Sequence, residues 1–179
     1  GFYFQCGTWE QGVAANIGLP NEPPVNPEWR ALARQNVVAL KKHGINENLI
    51  AVAFGSGDAW PSPETLLSDA FTEKMGRHFR TLGRAARECG FRGVSIDLEY
   101  PYPRYELDHP QYVYDTYTPG DLKAAAYLQG RTCMAALLDE FPDAVVFLLP
   151  GGIRTRPLEV QMILGLMDEM AGRDAPGGC

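Results

Sequence analysis

Apolar residues along this chain follow two alternating periods. Trp29, Leu32, Ala33, Val37 and Leu40 recur three or four positions apart, which predicts a helix. Asn26 and Pro27 supply its start and Gly44 its stop. The run Leu49, Ile50, Ala51, Val52, Ala53 and Phe54 is apolar without interruption, as in a short strand buried on both faces of a parallel sheet. Phe71, Met75, Phe79, Leu82, Ala86 and Cys89 trace a second helical stripe, ended by Gly90. Strict alternation follows, with Val94, Ile96 and Leu98 on one strand face and Ser95, Asp97 and Glu99 on the other. Thr118, Pro119, Gly120 and Asp121 form a helix start close to a capping box. It leads into the stripe Leu122, Ala126, Cys133, Met134, Leu137, Leu138 and Phe141. An apolar strand over 143–150 and a helix over 157–170, marked by Leu158, Met162, Leu166 and Met170, complete the pattern; residues 1–7 read as its first strand.

Strand then helix, four times over, implies right-handed βαβ units and a parallel sheet. The expected fold is α/β: four consecutive βα units, about half of a (β/α)8 TIM-type barrel, which takes about 250 residues to close. An open doubly wound sheet is the competing architecture, and no G-x-G-x-x-G marks the first strand-to-helix turn. Residues 1–179 are expected to be a single partial barrel catalytic domain. The chain opens on a strand without Met and reads as part of something longer. Half a barrel leaves two strand edges open, so the remainder of the barrel or a second chain is the expected partner.

Composition narrows the function without choosing it. The chain has 179 residues, 45% hydrophobic and 21% charged, enough for one domain with a real core. A net charge of -6 and no basic stripe argue against nucleic-acid binding. No apolar run approaches the roughly 20 residues of a membrane span. Cys6, Cys89, Cys133 and Cys179 are far apart, with no C-x-x-C, so no metal is expected from them. Cys89 and Cys133 fall on apolar helix faces and read as reduced core residues. No cofactor is implied, and localisation, export included, stays open.

The chemistry concentrates at one strand end. Asp97 and Glu99 share a face, with Cα atoms roughly 6.6 Å apart. At that separation one carboxylate raises the pKa of the other and can hold a proton at neutral pH, as an acid catalyst must. The plain alternative is an ion-pair anchor, with Arg92, Arg104 or another, unseen arginine as partner. Long loops, 8–25 and 100–117, follow the strands. They carry Trp9, Tyr100, Tyr102, Tyr105, Tyr112, Tyr114 and His109, while Asp58 and Trp60 follow Gly55 and Gly57. Trp9, Trp60, Asp58, Tyr100 and Tyr102 are candidate substrate contacts, since aromatic faces stack on sugar rings and carboxylates take hydroxyl hydrogens. Loop packing is the ordinary alternative for each, and for Trp29, on a helix stripe, packing is the better reading.

Residues 91–101 resemble the chitinase-type motif of glycoside hydrolase family 18, Asp-Gly-x-Asp-x-Asp-x-Glu followed by Tyr-Pro. Arg92 stands at the first acidic position and Ser95 at the second, so Asp97 and Glu99 are the two carboxylates kept. Ala53, Phe54, Gly55 and Ser56 resemble a weakened Ser-x-Gly-Gly of that family, and residues 147–151 its Ala-x-Pro segment. The resemblance covers strands two to five of the family's barrel. It implies a glycosidase acting on a poly- or oligosaccharide, with N-acetylhexosamine as one candidate unit. Glu99 would be the general acid and Asp97 would orient a neighbouring N-acetyl group. Ser95 removes the inner carboxylate, which leaves a conventional two-carboxylate mechanism equally open. Two other readings compete. One is a carbohydrate-binding barrel without turnover. The other is a divalent-metal barrel enzyme using Asp97, Glu99 and His109.

Overall fold

The computed structural model describes residues 2–5, 27–53, 63–97, 117–149 and 157–179. Its elements are β1 (Phe2–Gln5), α1 (Pro27–Lys42), β2 (Asn48–Ala53), α2 (Pro63–Leu66), α3 (Asp69–Cys89), β3 (Gly93–Asp97), α4 (Pro119–Glu140), β4 (Val145–Leu149) and α5 (Pro157–Gly172). The strands pair in parallel in the order β1-β2-β3-β4.

Local chemistry explains where the long helices begin and end. Ser68 caps α3 by accepting the Phe71 N–H at 3.2 Å. At the other end Gly90 takes φ 80, and its N–H and that of Phe91 close on the carbonyls of Arg87 and Ala86. Thr118 and Asp121 form the expected capping box of α4. The Thr118 hydroxyl accepts from the Asp121 N–H, and the Asp121 carboxylate accepts from the Thr118 N–H at 2.7 Å. The Thr118 backbone N–H, with the hydroxyl behind it, holds the Asp121 carboxyl below its ordinary value.

The expected half-barrel is corrected by the structure. The body is mostly helical: α3 and α4 have 21 and 22 residues, and the longest strand has six. The simple alternation also fails, because β2 is followed by two helices, α2 and α3. The physical reason is where the apolar surface goes. Phe79, Leu82, Leu122, Met134, Leu137, Met162 and Leu166 bury one helix against another and against one side of a small sheet. That sheet presents Ile50, Val94, Ile96 and Val146 to the helices. On its opposite side Phe147 is 49% exposed, so the apolar run of β4 is not covered on both sides.

The helices lie side by side, and each seam uses different chemistry. Between α4 and α5, Gly130 and Gly165 bring the backbones together. A methyl on Gly130 would run into the Met162 carbonyl, and one on Gly165 into that of Tyr127. Between α3 and α4, Gly83 packs on the Leu137 backbone. Arg84 adds a fork to the Glu140 carboxylate, with contacts of 3.2 and 2.6 Å. Between α1 and α3 the joints are long side chains: Arg30 to Glu88, Arg34 to the Glu88 carbonyl at 3.2 Å, and Lys41 to the Gly90 carbonyl at 2.7 Å.

Candidate functional site

A parallel sheet with helices along one side gathers the carboxyl ends of its strands at one edge, and α/β sheets bind ligands there. β3 lies between β2 and β4. Its last residue, Asp97, pairs with Ala53 and Leu149, and Ser95, two positions earlier, pairs with Ala51 and Phe147. Ser95 and Asp97 therefore share the side turned away from the helices. Ser95 is fully buried, and its hydroxyl finds no hydrogen-bond partner among the described residues. A buried hydroxyl in that state costs on the order of 1–3 kcal/mol.

The anchor reading that used Arg92 does not hold. Arg92 precedes the other end of β3, and its guanidinium donates to the Asp143 carbonyl at 3.0 Å. Five residues of strand, about 16 Å, separate the two positions. Arg104, the other proposed anchor, lies outside the described residues, as do Glu99, Trp9, Asp58, Trp60, Tyr100, Tyr102 and His109. Of the predicted site residues, Asp97 alone has its backbone described.

Support for this edge comes from below and behind. The Gln129 amide on α4, itself buried, donates to the Leu66 carbonyl at 3.0 Å and so ties α2 to the helix layer. The Asn48 side chain at the foot of β2 donates to the Ile45 carbonyl at 2.8 Å, and the Asn48 backbone carbonyl accepts the Arg92 N–H. On the outer surface Arg173 bridges Asp139 and Glu169 at 2.7 and 2.8 Å. Arg131 reaches Glu169 from α4 at 2.7 Å. The arginines of these pairs are half-exposed while Glu169 is mostly covered, and each pair contributes about 1 kcal/mol or less.

Sequence reasoning passed over His78 as an ordinary helix position. It is buried, and burial, with the charges of Lys74 and Arg77 nearby, lowers its pKa to about 4. The imidazole is therefore neutral at physiological pH, with Nδ1 unpartnered among the described residues. The available clue was spacing: His78 stands four and seven positions before Leu82 and Ala85 on the buried face of α3. Cys89 and Cys133 are buried free thiols, as expected from their helix faces, and burial raises the pKa of both. Among the described residues no helix is long and apolar enough to cross a membrane. No protein-family model, no curated protein and no solved structure matches this chain.

Proposed function

We propose that this chain is a glycosidase acting on a poly- or oligosaccharide, with chemistry at the carboxyl edge of β3. The observation that carries the reading is that an interior strand ends on Asp97, on the same side as Ser95 and two residues before Glu99. The likeness of residues 91–101 to the chitinase-type motif supports it, and so does the engagement of Arg92 at the far end of the strand.

Glu99 is the proton donor to the leaving glycosidic oxygen, and Asp97 raises its pKa by like charge. With an N-acetyl sugar, Asp97 also orients the acetamido group for attack at the anomeric carbon. Trp9, Trp60, Tyr100 and Tyr102 supply stacking faces, and Asp58 takes sugar hydroxyls. A second reading, a carbohydrate-binding protein without turnover, is favoured by one feature. Ser95 puts a buried hydroxyl where the motif has a carboxylate.

Hydrolysis of a panel of aryl glycosides, with and without a chelator, tests the proposal. Turnover of N-acetylglucosaminides alone, indifferent to chelator, is the expected result. Turnover of glucosides, galactosides or mannosides keeps the glycosidase and discards the acetamido step. Sugar binding without turnover moves the assignment to the binding protein, and neither binding nor turnover overturns both readings.

A further inference from the structure

The last turns of α5 and the segment after them enclose a pocket of about 380 Å³ with three sulfur-bearing side chains in its lining, Met167, Met170 and Cys179. We infer that this pocket is a binding site for a soft monovalent cation, Cu(I), held by the two thioethers and the Cys179 thiolate. Thioether and thiolate sulfur together select Cu(I) over harder ions. The pocket lies where α5 ends and β4 begins, at the amino edge of the sheet, so the inference stands apart from the reading of the carboxyl edge at Asp97.

Defined contacts turn the chain back on itself here. After α5 the N–H groups of Arg173 and Ala175 both donate to the Met170 carbonyl, at 3.3 and 3.1 Å, and Asp174 takes φ 49. Gly177 then lies so close to the start of β4 that a methyl group on it would meet the Ala144 carbonyl at 1.9 Å. Gly178 takes φ 72, and its carbonyl accepts the Val146 N–H at 3.1 Å. These contacts fix the backbone that delivers Cys179 to the pocket wall.

Met167 and Met170 stand three positions apart on α5, so they leave one helix face at neighbouring points, with Cβ atoms about 5–6 Å apart. Met170 is 5% exposed and Met167 46%, which puts one thioether at the inner wall and the other at the mouth. The three rotatable bonds of methionine let both swing onto a common ion. The Cys179 thiol is free and exposed, so an ion reaches it without unfolding the chain. The rest of the lining is small, Ala171, Ala175 and Gly178, apart from Asp174. One carboxylate is too few for Mg²⁺ or Ca²⁺, which take about six or more oxygens. Among the described residues no group of three His, Cys, Asp or Glu could hold a metal. The donor set is therefore soft. Binding exchanges one ion for one proton: Cys179 Sγ gives up its hydrogen to solvent and forms the bond to copper. Cysteine spacing conceals the site, since two of its three sulfurs belong to methionine.

Titration of the 179-residue chain with Cu(I), supplied as its bicinchoninate complex under ascorbate and without air, is the test. The wild-type chain is expected to withdraw about one Cu(I) per chain from the chelator, and an excess of Mg²⁺ or Ca²⁺ to leave that uptake unchanged. Cys179→Ser should weaken binding about a hundredfold, and Met167→Leu and Met170→Leu about tenfold each. Met167 is at the pocket mouth, so its variant keeps the test open should Met170→Leu disturb the packing beneath. X-ray absorption at the copper edge should find sulfur neighbours alone around the ion. A chain that leaves Cu(I) with the chelator overturns the inference. So does uptake that survives Cys179→Ser at full strength, which places the ion on another cysteine. Uptake that both methionine variants leave unchanged overturns it as well, because the site is then a single thiol.

Discussion

On the helix-facing side of the sheet Ile50, Val94, Ile96 and Val146 are all buried in one continuous core. One residue along each strand, on the other side, the row Ala51, Ser95 and Phe147 holds a methyl, a hydroxyl without a partner among the described residues and a ring half open to solvent. The two sides are made from the same strands, so backbone pairing cannot explain the contrast. Side-chain choice does. The first side is closed by long helices whose packing reaches backbone contact at Gly130 and Gly165. The second keeps one buried hydroxyl, that of Ser95, at a cost in stability, a feature that functional sites often share.

The largest effect is expected on the closed side. Gly165→Val drives a branched side chain into the Tyr127 carbonyl and should cost about 4 kcal/mol or more. Denaturant unfolding reads this as a loss of the folded state or a collapse of its midpoint. A mild effect would mean that α4 and α5 are not in backbone contact. Phe79→Ala, at the fully buried centre of α3, should cost about 3–4 kcal/mol.

His78 sharpens the comparison through pH. Its folded pKa of about 4 lies below the ordinary 6.5, so between these values the unfolded chain binds more protons than the folded one. Stability from this group is complete above pH 6.5 and is lost as pH falls toward 4, by about 3 kcal/mol in total. The difference in stability between the wild type and His78→Leu, followed across this window, should fall by that amount. A constant difference would show that the imidazole is not desolvated. The smallest effect belongs to the open side: Ser95→Ala should change stability by no more than about 1 kcal/mol, toward greater stability, because the hydroxyl gives up no partner. A loss of several kcal/mol would reveal a hydrogen bond to that oxygen.

Helix starts and stops were the most legible features, because capping is local. Thr118 with Asp121, and Gly90, act within a turn of themselves, and Ser68, the cap of α3 that the sequence reading did not single out, acts as locally. Strand positions were legible from apolar runs, as for Ile50 and Ala51. What the runs could not give was the side on which each residue is covered, and Phe147, in the apolar strand over 143–150, is half exposed. The barrel expectation failed for a related reason. A strand–helix rhythm says nothing of how much core lies between helices, and here Gly83, Gly130 and Gly165 let α3, α4 and α5 bury one another. α2, four residues long, is too short to show a period. At the site, the alternation of Ser95 and Asp97 was readable from strand geometry. The release of Arg92 from any role beside Asp97 needed three dimensions, since its partner, the Asp143 carbonyl, lies 51 residues away.

Glu99, two residues beyond the end of β3, is proposed as the acid catalyst, and Glu99→Gln tests that role most directly. Glutamine keeps the shape and cannot donate the proton. On a substrate that the wild type turns over, the variant should lose turnover by about a hundredfold or more while its affinity for the sugar stays within a few-fold. Unchanged turnover in a variant that binds as the wild type does would contradict the assignment of Glu99 and, with it, the glycosidase reading of this edge.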